Sequence, residues 1–135
     1  MADIILSEGL VVYTEDKYGN REVYESDKEH QLNIPLAVLV NGNSASASEI
    51  FAGAIQDYGV GTIVGTTTYG KGIVQNLYQL TDGTCLKITT SEYFTPNGRN
   101  IHGIGIEPDI IVEYKYDVIN PEADNQLEAA LNYLK

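Results

Sequence analysis

Basic residues are scarce in this chain. Eight lysines and arginines stand against nineteen aspartates and glutamates, for a formal net charge of −11 over 135 residues. Nucleic-acid binding needs a basic face, so the composition argues against DNA or RNA as a partner. The acidity reads instead as a solvated surface. Cysteine is nearly absent. A single Cys85 has no partner for an internal disulfide, and its neighbours Leu86 and Ile88 mark it as a small strand residue. The cysteine count therefore leaves the compartment open. No apolar run approaches the roughly 20 residues that cross a bilayer. The opening MADIILSEG lacks the basic stretch and apolar core of a signal peptide. The two histidines, His30 and His102, have neither a helical i,i+4 partner nor a cysteine cluster, which predicts no metal site.

What is present is an ordinary globular composition, 43% apolar and 20% charged, at a length that suits one domain with its own core. Residues 2–6 are short and apolar, with Gly9 as a helix stop. VVYT (11–14) and REVYES (21–26) flank a turn containing Gly19-Asn20 and read as a hairpin. DKEHQLNI is a polar connection, in which His30 reads as solvated. PLAVLV, opened by Pro35, is a continuous apolar run of the kind found in strands buried on both faces. The turn NGNSAS follows. From Ala47 to about Tyr58 the spacing of Ile50, Ala54, Ile55 and Tyr58 predicts a helix, stopped by Gly59 and Gly61. TIVG is a short strand and TTTYGKG a glycine-bounded loop. IVQNLYQL and TCLKITTSEYF predict two strands joined at Asp82-Gly83. TPNGRNIHGIGIEPD is loop-like, DIIVEY reads as a last strand, and Asp124 caps a helix through Leu134. The fold class is mixed α/β, a strand-turn-helix unit with hairpins on either side.

Two segments carry chemistry. In NGNSASASEIFAGA an apolar strand runs through a tight turn into a helix. A serine there sits beside unpaired backbone N–H groups and a partial positive charge, suited to an oxyanion. Ser46 is placed to attack, the Ala47 N–H to donate, and Gly42, Ala45 and Ala47 leave room for a peptide. Taken alone, however, Ser46-Ala47-Ser48-Glu49 reads first as an S-x-x-E capping box, and Ser44 and Ser48 are rival nucleophiles. In TTTYGKGIVQ, Lys71 lies between two glycines. Such a lysine is ordinarily a solvated loop residue. It serves as a base only where burial disfavours its charged form. Tyr69, Ile73 and Val74 offer apolar walls, and Gln75 is placed to orient the amine or, more plainly, is an exposed strand residue.

Gly65 to Gly72 also imitates the phosphate-binding G-x-x-x-x-G-K-[ST] loop. Its hydroxyl position is Gly72, and a strand rather than a helix follows, so a nucleotide site is rejected. A Ser-His-Asp arrangement through His102 and Asp109 stays open, because such triads are defined by geometry rather than order.

Taken together, PLAVLVNGNSASASEIFAGAIQDYG, VGTTTYGKGIVQ and LKITTSEYFTPNGRNIHGIGIEPD resemble the C-terminal processing (tail-specific) serine peptidases of the S41 type. The closing DNQLEAALNYL is similar to that family's last helix, and the match runs from roughly Leu10 to the end. The resemblance implies a ClpP/crotonase-like β/α core. It implies Ser46 as nucleophile, Lys71 as base in a Ser-Lys dyad, Gln75 orienting the lysine and Asp57 as a support residue. It also implies cleavage of protein substrates near their C-termini, no cofactor, a PDZ domain in the natural chain and an extracytoplasmic location.

Two departures accompany it. The family's PDZ domain and its upstream N-P-G-G-like turn, source of a second oxyanion N–H, are not within residues 1–135. The resemblance thus predicts a core incomplete at its N-terminus, with weak or no activity on its own. The competing expectation is a non-catalytic peptide-binding or oligomerisation module on the same scaffold, in which an exposed strand edge pairs with another chain.

Overall fold

The computed structural model describes residues 2–27 and 32–135, so His30 lies outside the described residues. Ten elements follow one another: α1 (Ala2–Ile5), β1 (Gly9–Asp16), β2 (Arg21–Ser26), β3 (Ala37–Val40), α2 (Ala47–Tyr58), β4 (Thr62–Gly65), β5 (Ile73–Gln79), β6 (Cys85–Phe94), β7 (Ile110–Ile111) and α3 (Asn125–Tyr133). They build two sheets. One is antiparallel, in the order β2-β1-β6-β5, and the other is parallel, in the order β3-β4-β7.

Both predicted hairpins form where turn chemistry marks them. Asp16 caps the first turn by accepting from the N–H groups of Tyr18 and Asn20. Asp82 does the same for Thr84 in the second. The helix predicted from Ala47 to Tyr58 has those bounds, and Gly59 closes it in the left-handed conformation. Its buried face is centred slightly differently from the predicted stripe. Ala52, Ala54 and Ile55 are fully buried, whereas Tyr58 is partly exposed and donates its hydroxyl to the Leu10 carbonyl. The core joins this face to Leu6, Val40, Ile63, Ile101 and Ile106.

Two strands differ from expectation. The apolar run at 35–40 suggested a strand covered on both faces, but β3 is an edge strand and Leu39 is 43% exposed. Helix α3 lies against β3 and β4 without sealing that side chain, and Leu127 and Leu131 of α3 are themselves exposed. The final strand is only two residues long. Beyond it, Gln126 Nε2 takes the Val112 carbonyl and Asn125 Nδ2 the Glu113 carbonyl, so the start of α3 satisfies groups that a longer strand would have paired. Asp124 caps α3 as predicted, accepting from the N–H groups of Gln126 and Leu127.

Register in the parallel sheet sets the position of the turn after β3. Val40 pairs with Gly65, where φ is +133° and a Cβ would stand 1.9 Å from the Val40 carbonyl oxygen. Only glycine fits there. Replacing Gly65 with alanine is expected to lower the unfolding free energy by about 3 kcal/mol or more. Urea denaturation checks this, and a loss below about 0.5 kcal/mol, the range of ordinary surface changes, would show that the contact relaxes at no cost.

Candidate active site

The turn between β3 and α2 is held by its own polar groups. Ser44 N–H donates to the Asn41 carbonyl, Asn41 N–H to Ser44 Oγ, and Asn43 N–H to Asn41 Oδ1. Ser44, one rival nucleophile, is thereby part of the turn. Ser48 is exposed on the first turn of α2. Ser46 is half-buried and adopts φ 57°, ψ −114°, the only positive φ outside glycine among the described residues. Such a conformation costs about 1–3 kcal/mol and persists only where surrounding contacts impose it. The Ala47 N–H follows at the exposed head of the helix and has no acceptor among the described residues. An apolar cavity of about 480 Å³ opens beside this helix start, lined by Val38, Val40, Ala47, Ile50 and Phe51 among others.

The contact that imposes the turn comes from Glu49. Of the capping box expected from S-x-x-E only one half forms, the Glu49 side chain accepting the Ser46 N–H, while the Glu49 N–H goes to the Ser46 carbonyl and the Ser46 side chain caps nothing. That half is one part of a larger arrangement. Glu49 is completely buried. Its Oε2 accepts the Ser46 N–H at 2.9 Å and the Lys71 N–H at 2.8 Å. Its Oε1 accepts the Thr68 hydroxyl and the Gly70 N–H, each at 2.6 Å. A carboxylate offers about four lone-pair positions, and here all are used. A single oxygen thus bridges the backbone of Ser46 to that of Lys71, twenty-five residues apart. The 66–72 loop is fixed on both sides as well. Tyr69 N–H donates to the Ser44 carbonyl, Thr68 N–H to the Ile106 carbonyl, and Gly103 N–H to the Gly70 carbonyl. Gly70 has φ +85° and lies so close to residues 103–105 that a Cβ would meet three backbone nitrogens at 3.1–3.2 Å.

The remaining predicted residues lie as follows. The side chain of Lys71 is exposed and has no hydrogen-bond or ion-pair partner among the described residues. Gln75 does not meet Lys71. It stands opposite Thr89 in the β5–β6 ladder, and its Nε2 donates to Thr89 Oγ1 at 3.3 Å. Asp57 is about 16 Å from Ser46 along the helix axis. Its side chain, 4% exposed, pairs with Arg99 and accepts the Asn97 N–H, clamping the turn at 95–100.

The histidine alternative is not assembled. Asp109 accepts from Gln56 Nε2 and from the Ile63 N–H, both at 2.8 Å, and His102 is exposed. After Gly72 the chain enters β5, not a helix. Among the described residues, no group of three His, Cys, Asp or Glu side chains could hold a metal ion.

Sequence reasoning missed Glu49 beyond its cap role, and missed Thr68 altogether. The only available signal was the position of an acidic residue three places after Ser46, which a helix cap explains equally well.

A parallel sheet that delivers a turn and helix start to a glycine-bounded lysine loop defines a domain of the ClpP-like class. Residues 1–112 match the profile of peptidase family S41, and the chain belongs to that family. It is 42% identical, over 99% of its length, to a carboxyl-terminal-processing protease of Synechocystis sp., covering 32% of that protein. It is 44% identical, over 92% of its length, to the carboxy-terminal-processing protease of Bartonella bacilliformis, covering 31%. Among solved structures, the photosystem II D1 C-terminal processing protease superposes with a TM-score of 0.79 at 36% identity, over 89% of this chain and 32% of that one. The chain thus spans about a third of the length of these relatives.

Glutamine at position 49 would keep the shape of the buried side chain but, in either orientation, turn an NH2 toward at least one main-chain N–H that can only donate. Glu49→Gln is expected to cost about 2–4 kcal/mol of stability. The check is chemical denaturation of the two proteins side by side, and equal midpoints and slopes would mean that the four bonds contribute nothing net.

Proposed function

We propose that the chain is the core of a serine endopeptidase that cleaves protein substrates near their C-termini, with Ser46 as nucleophile and Lys71 as general base. The observation that carries this reading is the strained backbone of Ser46, locked by the same carboxylate oxygen that holds the Lys71 N–H. Strain at one serine in a turn between a strand and a helix suits a nucleophile that must project its hydroxyl. The names of the relatives support the class of substrate.

In the proposed mechanism, the uncharged Lys71 amine removes the proton from Ser46 Oγ as the oxygen bonds to the substrate carbonyl carbon. Charge gathers on the former carbonyl oxygen, where the Ala47 N–H donates at the helix start. The tetrahedral species collapses, the C–N bond breaks, and Lys71 returns its proton to the leaving amine. Water then attacks the acyl-enzyme by the same route and restores the serine. Lys71 is exposed as it stands, so its desolvation is assigned to covering by substrate or by polypeptide outside these residues. Asp57 enters as a support through the 95–100 turn, whereas Gln75, bonded to Thr89, would have to leave that partner to orient the lysine.

The second oxyanion donor that the resemblance assigns to an N-P-G-G-like turn is not within the sequence. One such donor is typically worth about 10²–10³ in kcat, so the 135-residue polypeptide by itself is expected to be weakly active or inactive. An attached PDZ domain and an extracytoplasmic location belong to the same proposal by resemblance. No helix among the described residues is long and apolar enough to cross a membrane.

A second reading, a peptide-binding or self-associating module without turnover, has one observation in its favour, the exposed Lys71 side chain, which has no partner among the described residues. The two readings separate on the full-length protein with labelled casein as substrate. Ser46→Ala and Lys71→Ala are each expected to lower kcat by about a thousand-fold or more while leaving the melting curve in place. Full activity in Lys71→His would sink the lysine-base assignment, and retention of turnover in Ser46→Ala would sink the nucleophile.

A further inference from the structure

We infer that Thr68 is a positioning residue of this site, acting through Glu49 and not on substrate. The inference rests on the Ser46–Lys71 reading and deepens it.

Thr68 is 6% exposed, in the loop three residues before Lys71. Its hydroxyl is used in both senses. It donates to Glu49 Oε1 at 2.6 Å and accepts the Ile106 N–H at 2.7 Å. The Thr68 N–H returns to the Ile106 carbonyl at 3.1 Å, which fixes the residue on the 101–106 segment through its backbone as well. A continuous path therefore runs from the Ile106 amide through the Thr68 hydroxyl to Glu49. From there it divides at Oε2 to the Ser46 and Lys71 amides.

A carboxylate turns about its Cγ–Cδ bond as a rigid plane, so a bond that fixes Oε1 also fixes where Oε2 points. Three of the four donors to Glu49 are main-chain amides. The Thr68 hydroxyl is the one side-chain donor, and the one a substitution can remove without changing the path of the chain. Without it, the plane keeps a single restraint on Oε1, from Gly70, and the Ile106 amide loses its side-chain acceptor inside the core. The amides of Ser46 and Lys71 would then be held less sharply. The effect belongs in the chemical step, which depends on alignment to within an ångström, and not in substrate affinity.

The test uses the full-length protein and two variants. Thr68→Val keeps the shape and loses the hydroxyl, and Thr68→Ser keeps the hydroxyl and loses the methyl. Rates on labelled casein over a range of concentrations separate kcat from KM, and the rate of labelling by a serine-directed fluorophosphonate reports on Ser46 without turnover. Thr68→Val is expected to lower kcat and the labelling rate by about 10- to 100-fold with KM little changed. Thr68→Ser is expected to restore both to within about threefold of the parent, since it keeps the hydroxyl.

The inference is overturned if folded Thr68→Val keeps its kcat, or if Thr68→Ser is as impaired as valine, which would assign the effect to packing of the methyl. Should the valine variant not fold, Thr68→Cys, with similar size and only a weak donor, takes its place. A kcat below that of Thr68→Ser then supports the inference, and equality with the parent overturns it. Ser46→Ala and Lys71→Ala run beside these variants. If they stay active the underlying reading fails, whereas if they are inactive and Thr68→Val is not, only the role of Thr68 falls.

Discussion

One buried carboxylate organises the site. Glu49 has no contact with solvent, and both of its oxygens are spent on neighbours from two separate segments. An acidic group in such a place is costly unless it is fully hydrogen-bonded. The surrounding chain meets that demand by bending toward it. The turn after β3 brings the Ser46 amide, and the glycine-bounded loop after β4 brings those of Gly70 and Lys71 together with the Thr68 hydroxyl. The backbones of the proposed nucleophile and base are therefore tied to each other through a side chain that the proposed chemistry does not itself use.

The same carboxylate accounts for the strain at Ser46. A φ of 57° with ψ of −114° is unfavourable for a residue with a Cβ, and local sequence supplies no glycine there to relieve it. It holds because the residue is gripped twice. Its N–H is taken by Glu49, and its carbonyl accepts the N–H groups of Glu49 and Ile50 in the first turn of α2. Energy released by packing α2 onto the parallel sheet can be drawn on to keep this residue out of its preferred conformation. That is the usual balance at sites where one side chain must be aimed.

Much of the architecture was legible from residue patterns. Both hairpins, the 47–58 helix, the TIVG strand and the capped last helix follow from turn residues, periodicity and caps, which act over a few positions in sequence. What failed depended on neighbours distant in the chain. PLAVLV has the composition of a doubly covered strand, yet its place at a sheet edge is set by which strands pair with it. DIIVEY ends early because Asn125 and Gln126, more than ten residues on, claim its carbonyls. In the site, Ser46 and Lys71 stand out by residue type and glycine context. Gln75 illustrates the opposite case, since the cross-strand register pairs it with Thr89, and spacing in sequence does not reveal register.

By itself, then, the sequence determined the local elements, the excess of acid over base, and the presence of a serine at a helix start and a lysine in a glycine-bounded loop. Each of these is written in residues that lie within a few positions of one another. The tertiary structure alone decided that Glu49 is shared between those two segments, that Thr68 stands behind it, and that Asp57 and Asp109 hold loops and strands away from the Ser46–Lys71 pair. A buried polar group must find partners wherever folding brings donors within about 3 Å, and nothing in the order of the residues states which segments those will be.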